Sequence, residues 1–252
     1  MLTQDQIDAY HRDGYVVPDF RLPADVVESI RARHAALLGR HPEFRDYCPM
    51  LLDYDRGFLD YGSNGDILDM VAQLIGPDIA LWNMSFFAKP AHDGKRTPWH
   101  QDGEYWPIRP LATCTAWLAV DDSTTENGCL RVIKGSHRDR ALKGHHTVAA
   151  TDVTLNQELD ADEYDESRAV DIVLQAGQLS LHDVYLLHGS EANVSPKSRR
   201  GMTMRFMPTT SVFDRDIARE KAERIGGVDH SKRQVFLLRG RDMSGRNTFA
   251  SL

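Results

Sequence analysis

From Ile79 onward the chain leaves helical periodicity and breaks into short runs rich in β-branched and aromatic residues, at 79–89, 113–120, 128–133, 169–174, 178–186 and 202–208. Long loops join these runs, and helical segments do not alternate with them one for one. A parallel βαβ sheet needs a helix for each crossover, so that arrangement is disfavoured and a sandwich or jelly roll is expected.

Before Ile79 the periodicity is helical. Thr3 and Gln6 form a capping-box pattern ahead of Ile7 and Tyr10, which predicts a short helix ending at the Asp13-Gly14 turn. Pro23 opens a second helix, with Val26, Val27, Ile30, Leu37 and Leu38 on one stripe. A third, about 66–75, is stopped by Gly76-Pro77. After the strands, Asp214 is placed to cap a helix to Ile225, and 234–240 reads as a last buried strand or extended tail. The fold class expected is α+β with a mainly β core.

The chain has 252 residues, 41% hydrophobic and 27% charged, which suits one globular domain. We read a helical part over 1–78, a jelly-roll core over 79–210 and a C-terminal helix and tail over 211–252. No apolar run is long enough to span a membrane, and the first residues lack the pattern of a secretion signal. Three cysteines, Cys48, Cys114 and Cys129, fit neither a disulfide framework nor a thiolate zinc site, so a reducing cytoplasm is the expected location. They read as small core hydrophobes. With a net charge of −7 and scattered basic residues, nucleic acid is not an expected partner.

In the segment TPWHQDGEYW, His100 and Asp102 stand two residues apart, so an extended backbone points both to one face. Such a pair is common by chance. It gains weight from LSLHDVYLLHGSEANVSPKSRRG, where a strand-like run ends in His188 and could bring a third ligand from a distant strand. Two imidazoles and one carboxylate suit a divalent iron and leave coordination positions open for catalysis, where a bidentate 2-oxo acid and dioxygen can bind. Arg199, eleven residues past His188, carries the planar guanidinium best shaped to hold a distal carboxylate. Arg200 competes for that role, since neighbours on a strand face opposite ways. His182 would share a face with His188 if 181–188 stayed extended, but at strand rise it would lie roughly 20 Å away, so it reads as structural. Arg205 reads as a surface cation, with a cation for the substrate as the alternative, and His145 and His146 read as solvated. The polar stretch 135–168 reads as a solvated surface loop, with a lid as the alternative.

Taken together, HQDGEYWPIRP at 100–110, Trp117 in TAWLAV, NGCLRVIKGSH at 127–137, and His188 with Ser190 and Arg199 resemble the phytanoyl-CoA hydroxylase (phytanoyl-CoA dioxygenase) family. The opening LTQDQIDAYHRDGYVV resembles that family's start, and the likeness fades at 138–168 and 209–252. The resemblance implies a double-stranded β-helix, the cupin-like jelly roll, flanked by helices. It implies Fe(II) held by His100, Asp102 and His188, with 2-oxoglutarate contacted by Arg199, Ser190 and Trp117, and by Gln101 and Ser85. Lys89, in a Lys-Pro pair, also looks family-like without an evident role. Related halogenases have a small residue where this chain has Asp102, so hydroxylation is favoured over halogenation.

The expected activity is therefore hydroxylation of an unactivated C–H of a small-molecule metabolite, with O2 consumed and 2-oxoglutarate converted to succinate and CO2. Desaturation and ring rearrangement begin with the same hydrogen abstraction and remain alternatives. A zinc hydrolase and a non-catalytic jelly-roll binding module are the readings from other classes. Lacking a concentrated cationic patch for coenzyme A phosphates, the chain points toward a free metabolite, and its oligomeric state is left open.

Overall fold

Thr3 receives a hydrogen bond from the Gln6 amide while the Gln6 side chain receives one from the Thr3 amide, so helix α1 (Gln4–Asp13) starts on the expected box. The computed structural model describes residues 1–226 and 228–252. Gly14 ends α1 at φ 86°, a left-handed conformation that favours glycine. Helix α2 (Ala24–Arg40) follows Pro23, and α3 (Gly65–Ile75) is capped by Asn64, whose side chain accepts from the Ile67 amide. Asp214 caps α4 (Arg215–Ile225) through the amides of Asp216 and Ile217.

The strands that matter for the site are β1 (Ile79–Lys89), β2 (Thr97–His100), β3 (Cys114–Ala119), β4 (Leu130–Ile133), β5 (His145–Thr147), β6 (Gln157–Leu159), β7 (Ala169–Ile172), β8 (Leu179–Asp183), β9 (His188–Ser190), β10 (Arg199–Pro208) and β11 (Phe236–Arg239). The larger sheet runs β8-β3-β10-β1-β11, with the short strands Tyr15–Val16 beside β8 and Tyr47–Cys48 beside β1. A smaller sheet runs β7-β4-β9-β2. All these pairs are antiparallel, and the two sheets make the jelly roll of an α+β fold.

Period-two alternation divides the larger sheet into two faces. Cys114, Ala116, Leu118, Leu179, Leu181, Met202, Met204 and Phe206 belong to one core with Ile30 and Leu37 of α2 and Ile67 and Val71 of α3. The intervening residues Thr115, Trp117, His182, Thr203 and Arg205 line a cavity on the opposite face. Burial on both faces explains why these strands read as near-continuous apolar runs.

Two sequence expectations change. The run 178–186 is not one strand: β8 stops at Asp183, whose carboxylate accepts from the Tyr185 amide at 2.9 Å while its carbonyl accepts from Leu186 at 3.1 Å. That turn sends the chain to the smaller sheet. The stretch 135–168 is not merely a solvated loop either, since β5 and β6 pair as a hairpin with Gln157 and Leu159 buried.

His34 of α2 lies in the core against Phe86, ring centroids 4.0 Å apart, with neither ring nitrogen hydrogen-bonded. Burial, reinforced by Arg200, lowers its pKa to about 4. Above its ordinary value of 6.5 the ring is neutral in both folded and unfolded chains, so it adds no pH dependence there. As pH falls from there toward 4 the unfolded chain takes up a proton that the folded one refuses, so stability should drop by roughly 3 kcal/mol. Urea titrations of wild type and His34→Leu across this range should show the His34 part of the slope vanish in the variant.

Candidate active site

His100, at the end of β2, and His188, at the start of β9, are direct partners across the smaller sheet. Each ring is fixed by its own backbone: Nδ1 of His100 lies 2.8 Å from the Pro98 carbonyl, and Nδ1 of His188 lies 2.9 Å from that of Leu186. A carbonyl only accepts, so Nδ1 carries the proton and Nε2 keeps its lone pair. Both Nε2 atoms face Asp102 Oδ1, at 3.8 Å and 3.9 Å. Asp102 reaches them from a 3-10 turn, Asp102–Glu104, that follows β2 directly.

All three residues are buried, with ligand atoms within 4.8 Å of one another. Burial alone would raise the Asp102 pKa, but the polar surroundings given by the His100, His182 and His188 rings and the Arg205 guanidinium hold it well below the usual carboxylate range. Burial, then the nearby His100, keeps the His188 pKa well below its ordinary value, so that ring is neutral near pH 7. Two imidazole Nε2 atoms and one carboxylate converging on a point fit a divalent metal.

The same cavity, about 430 Å³, is lined by Trp117, Ser190 and Arg199. Arg199 points inward and Arg200 outward, where the latter pairs with Asp121 at 2.7 Å. Arg199 is 2% exposed and has no carboxylate partner among the described residues. Its donors meet only the carbonyls of Gly128 and Phe87, and its guanidinium lies 5.3 Å from the Trp117 ring. Burial lowers its pKa to about 10, so it remains a cation. Gly201, two residues after Arg199 on β10, is required by this packing, because a Cβ there would lie 2.2 Å from the Trp117 ring.

Gln101 and Ser85 do not line this cavity. Gln101 donates to the carbonyls of Ala141 and Tyr185 and accepts from the Lys143 amide, so its polar atoms go to the start of the 141–160 segment. Ser85 is buried beneath Arg205, donating to the Pro49 carbonyl and accepting from Arg205. Lys89 is buried near Arg199, and its ammonium donates to the Lys95 carbonyl.

Three residues stand apart from the sequence reading. His182 is not remote: its ring centroid is 5.0 Å from that of His188, and its Nε2 is 3.7 Å from Asp102 Oδ2. The turn after Asp183 folds the chain back and brings them together. Arg205 is not the surface cation favoured from the sequence but is 5% exposed and lines the cavity, where the alternative reading would put it. The signal for it was present, since Arg199 and Arg205 are six residues apart on one strand and so share a face. His145 is not freely solvated, because its Nε2 accepts from the Gln101 amide and its Nδ1 faces the Lys143 carbonyl.

A jelly roll carrying a His-x-Asp pair and a distant histidine at one point is a recognised class of metal site. The profile of the family described as "Phytanoyl-CoA dioxygenase (PhyH)" matches residues 10–201, and the chain belongs to that family. It is 27% identical to the peroxisomal phytanoyl-CoA dioxygenase of Homo sapiens, over 77% of this chain and 62% of that protein, and so spans about three-fifths of its length. Among solved structures, a non-haem monooxygenase, ThoJ in its apo form, superposes with TM-score 0.74 at 24% identity, covering 96% of this chain and 86% of that one. EvdO2 from Micromonospora carbonacea var. aurantiaca, solved in complex with 2-oxoglutarate, superposes at 0.71 with 21% identity, covering 82% and 91%. At these identities the superpositions speak to the fold.

Gln101→Ala should strand the Lys143 amide and two carbonyls and cost about 1–3 kcal/mol. Hydrogen exchange should show the loss concentrated at 141–160, and an unchanged exchange pattern there would contradict the tethering role.

Proposed function

We propose that this chain is an Fe(II)- and 2-oxoglutarate-dependent dioxygenase that hydroxylates an unactivated C–H of a small-molecule metabolite. The observation that carries this reading is Arg199, a buried cation with no carboxylate partner among the described residues, facing the same cavity as the His100, Asp102 and His188 candidate ligand set. The family and the 2-oxoglutarate bound to EvdO2 support it. A zinc hydrolase needs no such cation, and a binding module needs no converging lone pairs.

With iron and 2-oxoglutarate bound, the site would supply an oxidising equivalent from O2, with 2-oxoglutarate leaving as succinate and CO2. The chain's own part is orientation and exclusion of water. The Pro98 and Leu186 carbonyls hold the two imidazoles in the metal-binding tautomer. Thr115, whose hydroxyl lies 3.4 Å from Asp102 Oδ2, and His182 on the same side leave Oδ1 facing His100 and His188. Arg199 would anchor the distal carboxylate of 2-oxoglutarate, with Trp117 and Ser190 shaping its channel. Gln101 and Ser85 are proposed to act by supporting the walls. Asp102 fills the position that a halide would need, which favours hydroxylation. A single domain and a cytoplasmic location complete the reading, and no helix among the described residues is long and apolar enough to cross a membrane.

Anaerobic addition of Fe(II) and 2-oxoglutarate to the folded protein should produce a visible charge-transfer absorption, and its absence would refute the assignment. Asp102→Ala should abolish the absorption and lower the iron content measured by elemental analysis. Arg199→Gln should retain iron but weaken 2-oxoglutarate binding by about ten- to a hundredfold, since a bidentate charge-assisted pair is lost.

A further inference from the structure

A second cleft, about 890 Å³, meets the metal cavity at Phe87, Asp102 and Arg205, which line both. Its walls are largely apolar and aromatic, including Tyr105, Trp106, Leu155 and Ile225. Arg205 stands at the junction. Its Nη1 donates to the Ser85 hydroxyl at 2.6 Å, while its Nε is buried with no hydrogen-bond partner among the described residues. Phe87 and Trp106 flank the guanidinium at 5.8 Å and 5.2 Å. No carboxylate among the described residues forms an ion pair with it, and Asp102 nearby is already committed to the two histidines. Lys221 also lines the cleft and is 8% exposed, with its ammonium donating only to the main-chain carbonyl of Glu104. Behind the wall, Arg233 is buried with only neutral partners, Asn83, His230 and the Pro49 carbonyl.

Buried cations without counter-charges are costly unless an anion arrives. One such cation, Arg199, lies on the cosubstrate side of the cavity, whereas Arg205 faces the cleft that remains. Its Nε and Nη2 form the side-on fork that binds a carboxylate by two parallel hydrogen bonds. We propose that the substrate carries a carboxylate, that Arg205 binds it where the cleft meets the metal cavity, and that an apolar body fills the aromatic remainder. Lys221 adds positive potential to the same wall. This inference rests on the iron and 2-oxoglutarate reading, and it places a carboxylate beside the carbon to be oxidised.

The test is calorimetric binding of hexanoate and phenylacetate against hexanamide and phenylacetamide, to protein loaded anaerobically with Fe(II) and saturating 2-oxoglutarate. Saturation keeps the probes away from Arg199. Wild type should bind the carboxylates at least about tenfold more tightly than the amides, as expected for a charge-assisted pair in a dry site. Arg205→Gln should erase that preference, Arg205→Lys should keep part of it, and both should bind 2-oxoglutarate within about twofold of wild type. Equal binding of acids and amides to wild type, no binding of either acid, or a preference that survives Arg205→Gln would overturn the proposal. So would a loss of 2-oxoglutarate affinity in Arg205→Gln as large as in Arg199→Gln, because Arg205 would then serve the cosubstrate. If Arg205→Gln fails to fold, the wild-type comparison and a reduced carboxylate preference in Lys221→Gln decide the matter. Absence of the charge-transfer absorption in wild type would instead remove the underlying reading, an outcome distinct from an intact absorption without carboxylate preference.

Discussion

The pairing of β2 with β9 is the contact on which the site depends. His100 and His188 come from segments 88 residues apart, yet the antiparallel register sets them directly opposite one another. Each ring is then oriented by a carbonyl two residues earlier in its own chain, so both Nε2 atoms turn the same way. A slip of one residue in that ladder would send one imidazole to the other face. Asp102 needs no third strand, because the 3-10 turn after β2 carries it back to the same point.

The larger sheet supplies the opposite wall by segregating its two faces. One face is apolar and packs against α2 and α3, and this packing fixes the sheet. The other face is free to carry Thr115, Trp117, Thr203, Arg199 and Arg205. Two guanidinium groups without carboxylate partners among the described residues are a burden on stability that the apolar face must offset. Such an arrangement is retained where a ligand brings the missing charge.

The β5-β6 hairpin shows how the site is closed from above. Thr154, Leu155 and Asn156, between its strands, line the second cleft together with α4. Gln101, between His100 and Asp102, directs its three side-chain hydrogen bonds to the start of this segment and to the Tyr185 turn. Residue 101 thus couples the position of His100 and Asp102 to that of the roof. The side chain between His100 and Asp102 bonds to the scaffold, a placement that its position in the sequence does not disclose.

Much of this was legible in the sequence. Helix starts and stops are local, set by caps such as Thr3, Asp214 and Gly14, and strand runs follow from period-two burial, so their places were determined by short-range chemistry. The residue types of the candidate metal triplet, and the fold class, were legible there too. What only the tertiary structure decided were contacts created by turns and by the second sheet. The Asp183 turn converts an expected separation of roughly 20 Å between His182 and His188 into ring centroids 5.0 Å apart. Whether Arg205 meets water or a cavity depends on the cleft walls that Tyr47, α4 and the 154–156 segment raise over β10. No local propensity encodes that enclosure, because it arises from chain segments that meet only after folding.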